Sequence, residues 1–443
     1  MKNEQCPVQG AITTALAQLP FVPKHLYIGY SGGVDSHVLL HASAQDVQIQ
    51  SNVIAVYIHH GLQKQADAWA THCQDIANQL GVGFLTRQVN ATPLLGQSPE
   101  EAARDARYGA FKTLLHEEDV LLLAHHQEDQ LETVLLQLFR GTGLPGLAGM
   151  PSMIKNDTGW LLRPLLNVPK QSVIDYAAHH RLVWVEDPSN QDSVYDRNFL
   201  RQTIMPSLKA RWPSLDKTVA RTAQHCAQAQ AFIHAYAKEN LYLIQNATDQ
   251  SLDILRLQTY PPIEQRWLLR EWFASLKMKR PPQHTLERLC HELIETHKNT
   301  TPQLQLKNMT LRRYQNKLMA LPKTAHQPFL PCAWPCGQDT LTLSNRTQIT
   351  RKRAQSGLSK TAWDSAHVTV KLRQGGEKIH LPHRAGRRDL KKLFQDATIP
   401  AWQRERIPLI YFDDKLAAVG DLWLAAEFYT DSELAYVISL DYH

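Results

Sequence analysis

Through the first 200 residues, short apolar runs alternate with longer stretches in which apolar residues recur at helical spacing. Strands are expected at His25–Tyr30, Val53–His59, Gly83–Val89 and Val120–Ala124, with helices at Val38–Ala44, Gln65–Leu80 and Pro99–His116 between them. This β-α-β-α rhythm predicts an α/β fold, a mostly parallel sheet covered on both faces by helices. Ligands of such sheets bind beyond the carboxyl ends of the strands. The pattern changes near Ser214. Thr218–Lys238, Ile263–Leu276 and Gln283–Thr296 predict a helical region reaching His297, followed by short strands at Leu304–Lys307, Met309–Tyr314 and Lys317–Leu321. Pro322 to Pro335 holds four prolines and reads as a linker. Alternation in His367–Leu372, Leu409–Phe412 and Leu416–Val419 then predicts a small α+β domain. The expected organisation is a catalytic domain over 1–213, a mainly helical middle domain over 214–321, a linker and connecting segment over 322–360 and a basic domain over 361–443.

Charge sharpens this picture. The chain carries a formal net charge of +6, yet residues 351–410 alone hold fourteen Lys and Arg against five Asp and Glu. A basic segment on a near-neutral body suits a polyanion, of which nucleic acid is the usual case. A solvated basic surface would give the same count. No run of eighteen apolar residues occurs, and residues 1–30 lack a basic head, apolar middle and small-residue cleavage site, so neither a membrane span nor export is expected, and a cytoplasmic location is the expectation. The six cysteines are scattered, and Cys332 and Cys336 have no second pair beside them, so reduced thiols are expected and a zinc site is not.

The most specific chemistry lies in Ser31-Gly32-Gly33-Val34-Asp35-Ser36, between a strand and a helix. Two glycines let backbone N–H groups turn inward, and the helix start adds unpaired donors, which together form a phosphate cradle. Asp35 adds a carboxylate suited to Mg²⁺. The lysine of a Walker loop is absent.

A second block runs from His125 to Thr133, where a strand hands over to a helix. Asp129 and Glu132 are three apart and share a helix face. One could hold Mg²⁺ with Asp35 while the other grips an ammonium group; carboxylates at a helix start also occur simply because the dipole favours them. Arg197 and Arg201, four apart, could present guanidinium groups to phosphate or pair with surface acids. Arg140–Gly146 matches G-x-G-x-x-G but follows a helical run, which argues against a dinucleotide site. His59 and His60 end a strand and could line a nucleotide pocket or serve the core. Adjacent histidines project to different sides of a strand, so a transition-metal site shared with His125 and His126 is not expected.

Together these residues resemble the N-type ATP pyrophosphatase (PP-loop) family and, within it, the tRNA(Ile)-lysidine synthetases. The likeness rests on Ser31–Ser36, His59–Leu62, Glu100-x3-Arg104-x2-Arg107-Tyr108, His125–Thr133, Arg140–Gly143 and Arg163–Leu166. It continues through Glu186-Asp187-x-Ser189-Asn190, Tyr195–Asn198, Arg211–Pro213, Arg312–Tyr314, Lys391-Lys392 and Pro400-x-Trp402. One position departs: the family's H-x-D-D reads His126-Gln127-Glu128-Asp129 here.

The resemblance implies a PP-loop nucleotide-binding domain of the adenine nucleotide alpha-hydrolase-like type. It also implies a ligase that adenylates the wobble cytidine of tRNA(Ile) bearing a CAU anticodon, then joins free L-lysine to C2 with release of AMP. ATP and Mg²⁺ would be the cofactors, and a homodimer is compatible with it. Ser31, Gly32, Gly33, Val34, Asp35 and Ser36, with His59, would bind ATP; Asp35 and Asp129 would hold the metal. Asp35, His125, His126, Asp129 and Arg197 would serve catalysis, and Asp129 with Glu132 the lysine ammonium. Arg104, Arg107 and Arg201 would meet tRNA near the catalytic site, and Arg384, Arg387, Arg388, Lys391 and Lys392 would grip it from the tail. Two alternatives are a PP-loop tRNA thiolase and a non-catalytic tRNA-binding protein. Cys73 is the single cysteine in residues 7–225, which disfavours the first; intact Asp35, Asp129 and Glu132 disfavour the second.

Overall fold

The structure, a computed structural model, describes residues 6–61, 65–94, 96–188, 195–296, 302–323, 329–344, 347–431 and 434–441. Leu62, Ser189 and Asn190, which belong to the motifs above, lie outside the described residues. The chain divides into two compact units, Met1–Lys238 and Glu239–His443.

The first unit is built on one six-stranded sheet. Its strands are β1 (Leu26–Gly29), β2 (Val53–His59), β3 (Gly83–Gln88), β4 (Val120–Leu122), β5 (Met153–Asn156) and β6 (Gly159–Leu162), in the order β3-β2-β1-β4-β6-β5. The first four and β6 run parallel, and β5 pairs antiparallel with β6. The β5–β6 hairpin was not expected. Its strands are four residues each, too short to raise a periodic signal, yet β6 delivers Arg163 to the carboxyl edge of the sheet.

Side chains alternate cleanly between the faces. Leu26, Ile28, Val53, Ala55, Tyr57, Val120, Leu122 and Leu162 share a core with helices α1 (Pro7–Leu16), α2 (Val34–Ala44), α3 (Ala66–Gln79) and, later in the chain, Lys170–His179. Tyr27, Val56, Ile58, Leu121, Leu123 and Leu161 share the other core with Tyr108, Phe111 and Leu115 of α4 (Pro99–Leu114) and the residue after it. Strands buried on both faces cannot show a polar-out pattern, which is why they read as continuous apolar runs. Ser98 caps α4, its hydroxyl accepting from the Glu101 N–H at 3.2 Å, with Pro99 at the first position.

Beyond β4 come α5 (Gln127–Phe139), α6 (Leu144–Leu147), α7 (Lys170–His179), α8 (Asp196–Phe199), a wide π turn over Leu200–Ile204, α9 (Met205–Arg211) and α10 (Leu215–Ile244). The glycine-rich stretch at 140–146 lies at the end of α5, away from any strand end.

In the second unit, the strands Leu252–Asp253, Lys317–Pro322, Met309–Tyr314 and Gln303–Gln305 form one sheet, with Leu268, Leu269, Trp272 and Phe273 of the helix Pro262–Ser275 buried. Much of the stretch read as linker is built into the last domain instead. Cys332–Ala333 pairs with Val368–Lys371, and Gln348–Ala354 pairs along its length with Ala435–Asp441. Trp334 packs edge-on to Trp363, which in turn meets Phe412. Pro331 and Pro335 flank an edge strand, where a missing backbone donor is tolerated, so prolines alone misplace the boundary.

Candidate active site

β1 ends at Gly29, and the chain turns through Ser31 and Gly32 into α2, whose N-cap is Gly33. Gly32 has φ +84°, a left-handed conformation that glycine adopts without strain, and a Cβ there would stand 3.2 Å from Cys73 Sγ. Ser36 Oγ donates to Gly33 O at 2.9 Å and accepts from Ser31 N–H at 3.2 Å, so the loop is laced by its own serines. No side chain caps α2. Its first-turn N–H groups therefore point outward beside Val34 and Asp35 and suit an anion.

Cys73 is fully buried beneath this loop, and burial pushes its thiol up to about 12 against the opposing influence of the nearby Tyr30. Sulfur relay needs a thiolate, so this cysteine is packing material.

α5 brings the second set of groups. His126 is its N-cap, and the cap is reciprocal: Asp129 Oδ2 accepts from His126 N–H at 2.9 Å while His126 Nδ1 faces Asp129 N–H at 3.4 Å. His126 Nε2 then stands 3.6 Å from Asp35 Oδ2 and 3.4 Å from Asp129 Oδ2. The two carboxylates thus flank one imidazole. Burial works against ionisation of Asp35, but His126 and the Lys170 ammonium outweigh it and hold its carboxyl down at about 2. Asp129 is likewise lowered, with burial opposed by His126 and Arg197. Two ionised carboxylates beside a phosphate cradle are a hard-oxygen donor set that fits Mg²⁺, whose remaining ligands are usually water and substrate phosphate.

Glu132, one turn on, is fully buried and spanned by two guanidiniums. Arg197 Nε donates to Glu132 Oε2 at 2.7 Å and its Nη2 to Asp129 Oδ1 at 3.3 Å. Arg201 Nε donates to Glu132 Oε1 at 2.7 Å, and its Nη2 reaches Glu132 Oε2 at 3.0 Å and Asp129 Oδ1 at 3.2 Å. The acids raise both guanidinium pKa values against the effect of burial. Asp129 and Glu132 are brought together as expected, but with two arginines across them. A ligand ammonium meets Glu132 only where Arg201, the more exposed of the pair, gives up a bond.

His125, by contrast, belongs to a positive neighbourhood. Burial drives its pKa down to about 3, Asp129 opposes this, and Arg163 and Arg107 add to it, so the ring is neutral. His59 closes β2, its Nε2 3.0 Å from Asp67 Oδ1 and its Nδ1 accepting from Gly61 N–H. Arg104 and Arg107 lie on α4 over the Tyr108 ring.

Two lysines escaped the sequence reading. Lys170, at the first position of α7, bonds Asp35 Oδ1. A cation there opposes the helix dipole, and that misplacement was the available signal. Lys209 bonds Glu128 and stands 3.0 Å from Asp216. The departing residue of the H-x-D-D pattern is therefore engaged by a helix-borne ammonium, while Asp129 keeps the place beside Asp35.

In the second unit, Arg387 and Arg388 lie on the strand Arg387–Asp389, Lys391 and Lys392 on the helix Leu390–Asp396, and Arg384 on the preceding turn. All five are exposed, and among the described residues none forms an ion pair. They form an exposed cluster of positive charge.

Residues 7–208 match the PP-loop domain, 252–319 the TilS substrate binding domain and 368–440 the TilS substrate C-terminal domain. The chain is 39% identical over 407 residues to a tRNA(Ile)-lysidine synthase of Methylococcus capsulatus, covering 90% of this chain and 92% of that one. It is 35% identical over 443 residues to the Proteus mirabilis protein of the same name, covering 99% of each. Among solved structures, a U34-tRNA thiolase from Methanococcus maripaludis aligns with a TM-score of 0.40 at 16% identity, covering 50% of this chain and 78% of that one.

Proposed function

The chain belongs to the tRNA(Ile)-lysidine synthase family, and from that premise we propose how its residues divide the reaction. The enzyme uses ATP and forms lysidine on tRNA(Ile). In the proposed sequence, O2 of the wobble cytidine of a CAU anticodon attacks the α-phosphate of ATP and expels pyrophosphate. The ε-amine of free L-lysine then attacks C2 and expels AMP.

Ser31, Gly32, Gly33, Val34 and Ser36 cradle the departing pyrophosphate with the uncapped amides of α2, and His59 borders the nucleotide at the end of β2. Asp35 and Asp129 would hold Mg²⁺, which neutralises charge on the leaving group. His126 keeps those two carboxylates apart and oriented. His125, neutral at working pH, can donate or accept one hydrogen bond at the reacting phosphate. Arg197 is placed to stabilise charge on the adenylated base. Asp129 and Glu132 receive the lysine ammonium as Arg201 turns toward RNA phosphate. Arg384, Arg387, Arg388, Lys391 and Lys392 grip the tRNA elsewhere, through contacts that weaken with salt.

The observation that carries this reading is the meeting of Asp35 and Asp129 at one nitrogen, Nε2 of His126, directly beside the loop. Among the described residues no helix is long and apolar enough to cross a membrane. The reading places the enzyme in the cytoplasm and admits a homodimer. AMP release measured with tRNA(Ile) bearing CAU, with lysine or other amino acids, tests it. Lysine-dependent release is expected; release indifferent to lysine overturns the assignment of Asp129 and Glu132.

A further inference from the structure

Lys170 stands where it serves neither the helix it begins nor the stability of the fold. It holds the first position of α7 behind Pro169, and no side chain caps that helix. The first turn of a helix carries the positive end of its dipole, so an ammonium there works against α7. Among the described residues Asp35 is the only acid it pairs with, and the two side chains are 26% and 32% exposed. An ion pair this open to water contributes little to stability.

Strand order fixes where the lysine goes. β1, β4 and β6 are consecutive in the sheet, and each leads into a helix: α2 after β1, α5 after β4, and α7 after β6 and the turn over Pro164–Asn167. The three helix starts therefore meet at one edge. Gln127 N–H donates to Val168 O at 3.1 Å, tying the start of α5 to the chain just ahead of α7. His41 of α2 and Tyr176 of α7 share a hydrogen bond of 3.0 Å, and Val173, Tyr176 and Ala177 are buried in the core that α2 lines. The Lys170 ammonium is thus delivered to the first turn of α2, beside the Ser31–Ser36 loop.

The loop itself supplies no cation: its six residues include one acid and no base. A Walker loop carries its own lysine, which reaches the β- and γ-phosphates. Here Asp35 and Asp129 already make the site acidic, and a triphosphate adds more negative charge than one divalent ion neutralises. Once Asp35 serves as a metal ligand, Lys170 loses its acid, and the phosphate chain replaces it.

We propose that Lys170 is a nucleotide-binding residue with two positions: its ammonium rests on Asp35 without ATP, and moves to the β- and γ-phosphates when ATP binds. It supplies from α7 the cation that a Walker lysine supplies from its own loop. As O2 of the cytidine bonds to the α-phosphorus, the bond from that phosphorus to the β-bridging oxygen breaks, and its electron pair leaves on pyrophosphate. Lys170 donates hydrogen bonds to this leaving group and keeps its proton. The assignment rests on the reading of the Ser31–Ser36 loop as a pyrophosphate cradle.

The test is equilibrium binding of ATP, inorganic pyrophosphate and AMP to the full chain with Mg²⁺ present, for wild type, Lys170→Met and Lys170→Arg. Lys170→Met should weaken ATP and pyrophosphate about tenfold or more, the scale of one charge-assisted hydrogen bond, and leave AMP within about twofold. Retained AMP binding also shows that the variant is folded. Lys170→Arg returns the charge in a different shape, and should recover most of the pyrophosphate binding. Full pyrophosphate binding by Lys170→Met would overturn the role given to Lys170 and leave the cradle standing. Equal weakening of all three ligands, not recovered by arginine, would make Lys170 a structural partner of Asp35 and overturn the proposal too. Wild type that binds ATP but not pyrophosphate is a separate result, and would sink the cradle reading and this assignment with it.

Discussion

His126 Nε2 stands 3.6 Å from Asp35 Oδ2, joining the loop after β1 to the helix after β4. Since β1 and β4 are neighbours in the sheet, residues 91 positions apart become one site. The imidazole serves as the cap of α5 through Nδ1 and as a partner of two carboxylates through Nε2.

Removing either carboxylate should therefore affect chemistry more than folding. Asp35→Asn and Asp129→Asn are each expected to lower kcat for lysidine formation by about a hundredfold, the scale lost with one group aimed at developing charge. Single-turnover AMP release measures this. Near-normal turnover in Asp129→Asn would remove that residue from the reacting centre.

Glu132 is fully buried under Arg197 and Arg201, so Glu132→Gln leaves two guanidiniums short of an acid. Breaking such a buried pair should cost about 3 kcal/mol in urea unfolding. Adding Arg201→Gln should recover part of that stability and none of the lysine use. Recovery of both would mean that Glu132 is a structural counter-ion with no part in binding lysine.

Glu128 is held by Lys209, itself paired with Asp216, and all three side chains are between 20% and 27% exposed. Glu128→Gln and Lys209→Met should each cost about 1 kcal/mol of stability. Turnover should stay within about tenfold of wild type, since the Asp35–His126–Asp129 set is intact. A loss as large as that of Asp129→Asn would place Glu128 in the chemistry after all.

Acid should destabilise the fold before any carboxylate titrates. His37 and His125 have ordinary values near 6.5, lowered by burial to about 4 and about 3. A histidine with a depressed folded value stabilises the protein above its unfolded pKa, and this contribution is lost as pH falls below about 6.5. The lowered acids Asp35 and Asp129 add their loss only below about pH 4. Urea midpoints measured from pH 7 to pH 4.5 should therefore fall, and His37→Phe should flatten the slope. An unchanged slope in that variant would show His37 to be charged or solvated in the folded state.

Much of this protein was legible from its sequence. The apolar runs, the Ser31–Ser36 loop and the Asp129–Glu132 spacing are local properties, fixed by strand and helix periods and by turn chemistry. They sufficed to place a parallel sheet, a glycine loop between a strand and a helix, and an acidic helix start. Short elements were not legible: the four-residue strands β5 and β6 carry too few positions for a period, and prolines marked as linker a stretch that pairs at a sheet edge.

Tertiary structure alone decided the partners. Nothing in the sequence pairs Lys170 with Asp35, Lys209 with Glu128, or Arg163 with Tyr108, because each link crosses between elements whose neighbours are set by strand order. It also decided that Arg197 and Arg201 lie across Glu132, and that α4 and α2 cover opposite faces of the sheet. Charge complementarity in a buried site depends on distance and dielectric, and those quantities exist only once the chain has folded.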